Sequence, residues 1–149
     1  MNSKDDTGVV ARPGTGRTTH RIRRLAGTGV IATLAAMVTT TLAAALAEAV
    51  GVDFEVPDGG EAIPLPGFAT MTGFFSVVGV VIAAALLRWS ARPAERFVQT
   101  AVSLTAISLV APLISGGNTA TIIALLVLHL VASTVMIPAL ARSLRATTS

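Results

Sequence analysis

Four stretches of the chain carry no Asp, Glu, Lys or Arg, over residues 25–47, 67–87, 97–114 and 119–140. They hold 23, 21, 18 and 22 residues by those bounds. A helix rises about 1.5 Å per residue, so the longest reaches about 34 Å against a hydrocarbon core of about 30 Å. Backbone in lipid must satisfy its own hydrogen bonds, so each stretch is expected to be helical. The prediction is an all-α fold, a four-transmembrane-helix bundle running up-down-up-down.

The segments between the helices differ in character. Residues 1–24 have no helical apolar period and read as a disordered basic tail ending in His20, Arg21, Arg23 and Arg24. Residues 48–66 (EAVGVDFEVPDGGEAIPLP) form an outer loop with five acids and no base. Within it Val52–Val56 alternates as a short strand would, and Asp58-Gly59 is a turn signal, so a small hairpin or irregular cap is expected. Residues 88–96 (RWSARPAER) hold three arginines, and 115–118 (SGGN) make a tight turn with Asn118 as a cap for the fourth helix. Residues 141–149 read as a second tail. Pro112 and Pro138 fall near helix ends and are expected to terminate their helices. The first helix has small residues every fourth position, Thr28, Ala32, Ala36, Thr40 and Ala44, a ridge suited to close packing within the chain.

Charge gives the bundle a direction. With the N-terminus inside, all 11 Lys and Arg fall in 1–24, 88–96 and 141–149. The outer loop then holds Glu48, Asp53, Glu55, Asp58 and Glu61. Cytoplasmic segments are enriched in Lys and Arg, so the expected topology is N-in/C-in. The expected location is the cell (plasma) membrane, multi-pass, with both termini cytoplasmic. A pI of about 11.1 is then a topology signal and an attraction to anionic lipids at the cytoplasmic face. No aromatic interleaving or motif supports nucleic acid as a partner. Trp89 sits where an interfacial anchor belongs.

Composition agrees. The 149 residues are 52% hydrophobic and 13% charged, about half the charge of a soluble domain, which argues against a soluble enzyme. The absence of Cys removes disulfides, thiol redox chemistry and Cys-ligated metals. One rival reading makes the first helix a signal peptide cleaved after Ala45-Leu46-Ala47. Its 23 uncharged residues exceed the usual core of about 7–15, so an uncleaved helix is expected.

The stretch LAAALAEAVGVDFEVPDGGEAIPLPGF, then LLRWSARPAERFV, then LHLVASTVMIPALARSL resembles a family of small four-helix integral membrane proteins from high-GC bacteria, a domain of unknown function. The resemblance covers about residues 25–145. It implies an integral membrane protein and brings no catalytic residues with it.

His129 is the eleventh residue of the fourth stretch and so lies near the bilayer midplane. An ionisable group at that depth reads either as a functional group or as a neutral histidine bonded to Ser or Thr. Counting depth from the helix ends brings Thr105, Ser76 and Thr40 to its level, and Ser133 shares its face at i+4. His129, Thr105, Ser76, Thr40 and Ser133 are therefore the candidate intramembrane polar site. Asp53, Glu55, Asp58 and Glu61 are a candidate weak cation site, although no standard ligand spacing is met. No HExxH, GxSxG, Walker A or GxGxxG motif occurs, and no His pair has metal spacing, so no catalytic residue, metal or cofactor is expected.

Three function classes follow. The first is a non-catalytic scaffold or regulatory membrane component, not an enzyme, working with a membrane-protein partner or a second copy. The alternative is a small transporter or proton-linked channel using His129. A membrane oxidoreductase subunit is a third, with no Cys or Tyr and a single intramembrane His to support it.

Overall fold

The computed structural model of the chain describes residues 15–55 and 62–148. Its helices are α1 (Thr15–Ala49), α2 (Leu65–Trp89), α3 (Pro93–Ser108), α4 (Val110–Ile114) and α5 (Thr119–Thr148). The short α4 continues α3 after a break at Leu109, so four spans result, each long and apolar enough to cross a membrane. Pro112 explains the break: it has no N–H for the carbonyl four residues back, and its ring crowds that carbonyl.

The spans pack in a ring. α1 touches α2 and α5, α3 touches α2 and α5, and α1 and α3 do not meet. Gly29 and Met37 fix the register of α1 on α2. A Cβ added at Gly29 would lie 2.7 Å from Val80 Cγ2, and one added at Gly73 would lie 3.0 Å from Met37 Sδ. Residue numbers across this antiparallel pair therefore sum to 109–110. The missing Cβ at Gly29 lets the two backbones approach. Ala32, Ala36, Thr40 and Ala44 of the small-residue ridge are buried and face inward, while Thr28 is half-buried.

Two apolar clusters fill the bundle. One, at the end bearing the arginines, joins Leu25 and Ala32 of α1, Ala83 of α2, Phe97 of α3 and Leu140 and Leu144 of α5. The other, at the opposite end, joins Ala44 of α1, Phe54 of the loop, Phe68 of α2 and Leu128 of α5. Packing of this kind explains helix ends that charge counting misplaces. α1 begins at Thr15, so His20, Arg21, Arg23 and Arg24 are helical and not part of a disordered tail. Leu25, fully buried, anchors those turns, and half-buried Ile22 lies one turn before it. Residues 1–14 lie outside the described residues.

The C-terminal segment is likewise helix to Thr148, held by buried Leu140, Ala141, Leu144 and Thr147. Pro138 does not end its helix; α5 runs ten residues past it. Membrane helices tolerate such a proline because neighbouring helices and Ser or Thr hydroxyls occupy the freed backbone groups.

Candidate functional site

The polar residues singled out by depth lie between the two clusters. On α1, Thr40 falls between Ala36 of one cluster and Ala43 beside the other. On α5, His129 and Ser133 fall between Leu128 and Val135, and on α2, Ser76 falls between Phe68 and Val80. On α3, Thr105 follows Ala101, where the arginine-end cluster stops.

Three of the five are joined by hydrogen bonds. Thr105 Oγ1 and Ser133 Oγ are 3.1 Å apart, linking α3 to α5. Ser133 Oγ donates to the His129 carbonyl at 2.8 Å. The His129 ring stays on its own helix: Nδ1 lies 2.7 Å from the Leu125 carbonyl oxygen. A carbonyl can only accept, so Nδ1 is the donor.

Ser76 and Thr40 are buried but do not meet. The α1–α2 register places Ser76 opposite residues 33–34, leaving Thr40 six to seven residues, about 10 Å, further along. The hydroxyls of Thr40 and Thr41 are buried without a hydrogen-bond partner. Such a group costs about 1–3 kcal/mol.

The acidic loop is built by local rules. α1 ends in a Schellman cap: Val52 N–H donates to the Ala47 carbonyl and Gly51 N–H to the Glu48 carbonyl, each at 3.0 Å. This requires positive φ at Gly51, which is +96°. The chain then turns Phe54 inward. Phe54 is fully buried, its ring centroid 4.8 Å from that of Phe68, and its own φ is +51°. Of the expected hairpin or irregular cap, the described residues show one antiparallel bridge, Glu55 to Ala62, with Ile63 N–H donating to the Phe54 carbonyl at 3.3 Å.

Asp53 is a latch. Its Oδ1 accepts from Asn118 Nδ2 at 3.0 Å and from buried Thr121 Oγ1 at 3.1 Å. Asn118 in turn caps α5, its Oδ1 accepting from Thr121 N–H at 2.8 Å, as its position in the sequence predicts. The Asn118 amide, with the Glu55 N–H and the Thr121 hydroxyl, holds the Asp53 carboxyl below its ordinary pKa against an opposing desolvation. Asp53 is thus engaged by α5, and Glu55 is exposed beside it. Asp58 and Glu61 lie outside the described residues. Among the described residues no group of three or more His, Cys, Asp or Glu could hold a metal ion.

Sequence reasoning missed the Asp53–Asn118–Thr121 latch. Asx capping was visible at Asn118, but its tie to a residue 65 positions away carries no local signal.

Comparisons with curated proteins and with solved structures find no match. A family model does match, over residues 20–146, from the N-terminal basic turns to the end of α5. That span takes in all four membrane-length helices and the acidic loop, so the chain belongs to the family of unknown function DUF6069.

Proposed function

We propose that this chain is a non-catalytic component of a membrane assembly, a scaffold or regulator held in the plasma membrane with both termini cytoplasmic. The observation that carries this reading is how the interior is filled. Apolar clusters occupy both ends of the bundle, and the ionisable side chain at mid-span donates to its own helix. The hydroxyls of Thr105 and Ser133 bond one another. Such an interior holds helices in register and offers a proton or ion little to step along. In the apolar 18-residue window of each span only 11–22% is buried within the chain, and the exposed large apolar side chains, such as Ile31, Phe75 and Ile107, are left for lipid or a partner.

Proteoliposomes test this. The reading predicts no proton or cation flux between about pH 5 and 8, the range in which histidine titrates, for wild type or for folded His129→Leu. It also predicts a defined membrane partner in mild-detergent extracts, with recovery reduced by Asp53→Ala. Flux in wild type that disappears in folded His129→Leu would replace this reading with transport.

A further inference from the structure

We propose that the arginine-bearing end of the bundle holds a site for the phosphate of an anionic phospholipid, with Arg21 and Arg88 as its ligands. The site rests on the membrane reading above, which places this end at the lipid–water boundary.

The first observation is a cavity of about 450 Å³ between the start of α1 and the end of α2, lined by Arg21, Ile22, Leu87, Arg88 and Trp89 among others. The register makes this a designed pairing of levels. Gly29 meets Val80, a sum of 109, and Arg21 with Arg88 gives the same sum. Two guanidinium-bearing positions therefore stand at one height on adjacent antiparallel helices. Directly below them toward the bundle, Ile22 and Leu87 also sum to 109.

The second observation is the missing counter-charge. Among the described residues one carboxylate pairs with an arginine at this end, Glu95 with Arg92 at 3.5 Å, and both are exposed. Arg21 and Arg88 have no carboxylate within bridging distance among those residues. Like charges brought to one level across a helix pair repel, and an anion between them removes that repulsion. Guanidinium is the side chain best matched to phosphate, through two parallel N–H donors.

The third is the wall. Ile22 and Leu87 give the cavity an apolar floor on the membrane side, and Trp89, 78% exposed, stands at its rim. A phosphate joined to glycerol and acyl chains fits basic groups above and apolar groups below. A free phosphate would use the arginines and leave the floor unused. Basic pockets between helices at the inner face are the usual seats of anionic headgroups.

Arg92 and Arg96 provide the internal control. They line a second cavity of about 490 Å³ on the other side of Trp89. Arg92, the N-cap residue of α3, is bridged by Glu95, and neither it nor Arg96 in the first turn of α3 lines the cavity of Arg21 and Arg88.

The test uses the purified full chain in a neutral detergent, with retained lipid read by native mass spectrometry and thermal midpoint read in parallel. Probes are phosphatidylglycerol, phosphatidylcholine and inorganic phosphate. Wild type is expected to retain phosphatidylglycerol over phosphatidylcholine, and Arg21→Gln or Arg88→Gln to weaken that retention about fivefold each. Arg96→Gln and Arg142→Gln, which remove the same charge, should leave it unchanged. Equal retention of the two lipids, or equal loss in all four variants, overturns the site. An equal midpoint shift with inorganic phosphate alone overturns the lipid assignment. Wild type is also reconstituted into phosphatidylglycerol–phosphatidylcholine vesicles, and extraction from them by alkaline carbonate would refute the membrane reading instead, so the two failures are distinct.

Discussion

Phe54→Ala probes the least obvious contact in the molecule, a loop side chain inserted into a membrane-length bundle. The ring is fully buried against Phe68, Ala44 and Leu128. Removing a phenylalanine buries about 150–250 Å² less, which at about 25 cal/mol per Å² bounds the loss at about 4–6 kcal/mol. Truncations of buried phenylalanines cost about 3–5 kcal/mol, so about 3 kcal/mol is expected beside the water boundary. The backbone sharpens the test. At φ +51° any L side chain is held in the left-handed region, at about 1–2 kcal/mol, and burial of the ring offsets that cost. Phe54→Gly should therefore be no less stable than Phe54→Ala, the reverse of the ordinary order. Reversible unfolding in mixed micelles measures both, with Leu42→Ala, exposed on α1, as a control expected within about 0.5 kcal/mol of wild type. A Phe54→Ala loss below 1 kcal/mol, or glycine clearly worse than alanine, would refute the plug.

Three further outcomes follow from the packing and the latch. Gly29→Ala should destabilise by about 1–3 kcal/mol because its Cβ would strike the stiff Val80 side chain, and Val80→Ala should restore it; Gly27→Ala, with open space around it, should be neutral or better in the same unfolding assay. Thr40→Val should stabilise by about 1 kcal/mol, since it replaces a buried unpartnered hydroxyl with a methyl; a loss of stability would show that the hydroxyl is satisfied. Asp53 has a folded pKa below its unfolded value, so its contribution is full above about pH 4 and is lost as pH falls through the folded value. The gap in thermal midpoint between wild type and Asp53→Asn should close on acidification, and a gap constant from pH 7 to about 3 would remove the latch.

The spans were legible because lipid imposes one solution on an uncharged backbone, and the four helices fall where the uncharged stretches lie. Their ends were not, because lipid does not set them. α1 ends at a Schellman cap on Gly51, and its start is carried past Arg24 by packing at Leu25. Pro138 reads as a stop only when Leu140 and Leu144 are not seen to be core. The depth count put Thr105, Ser76 and Thr40 at the level of His129, whereas the α1–α2 register sets Ser76 and Thr40 about 10 Å apart along the helices. It could not say which hydroxyls meet, because that depends on helix rotation and stagger. Thr105 meets Ser133, whereas Ser76 and Thr40 are offset by two turns.

The central claim is that these four helices cross a membrane with the arginine-bearing end inside. The chain has no cysteine, so single-cysteine variants report without background. Glu48→Cys and Ala91→Cys sit at exposed positions at opposite ends of the bundle. An impermeant maleimide applied to intact cells should label Glu48→Cys at once and Ala91→Cys only after permeabilisation. The reverse pattern would invert the topology, and labelling of both in intact cells would contradict a membrane-spanning bundle.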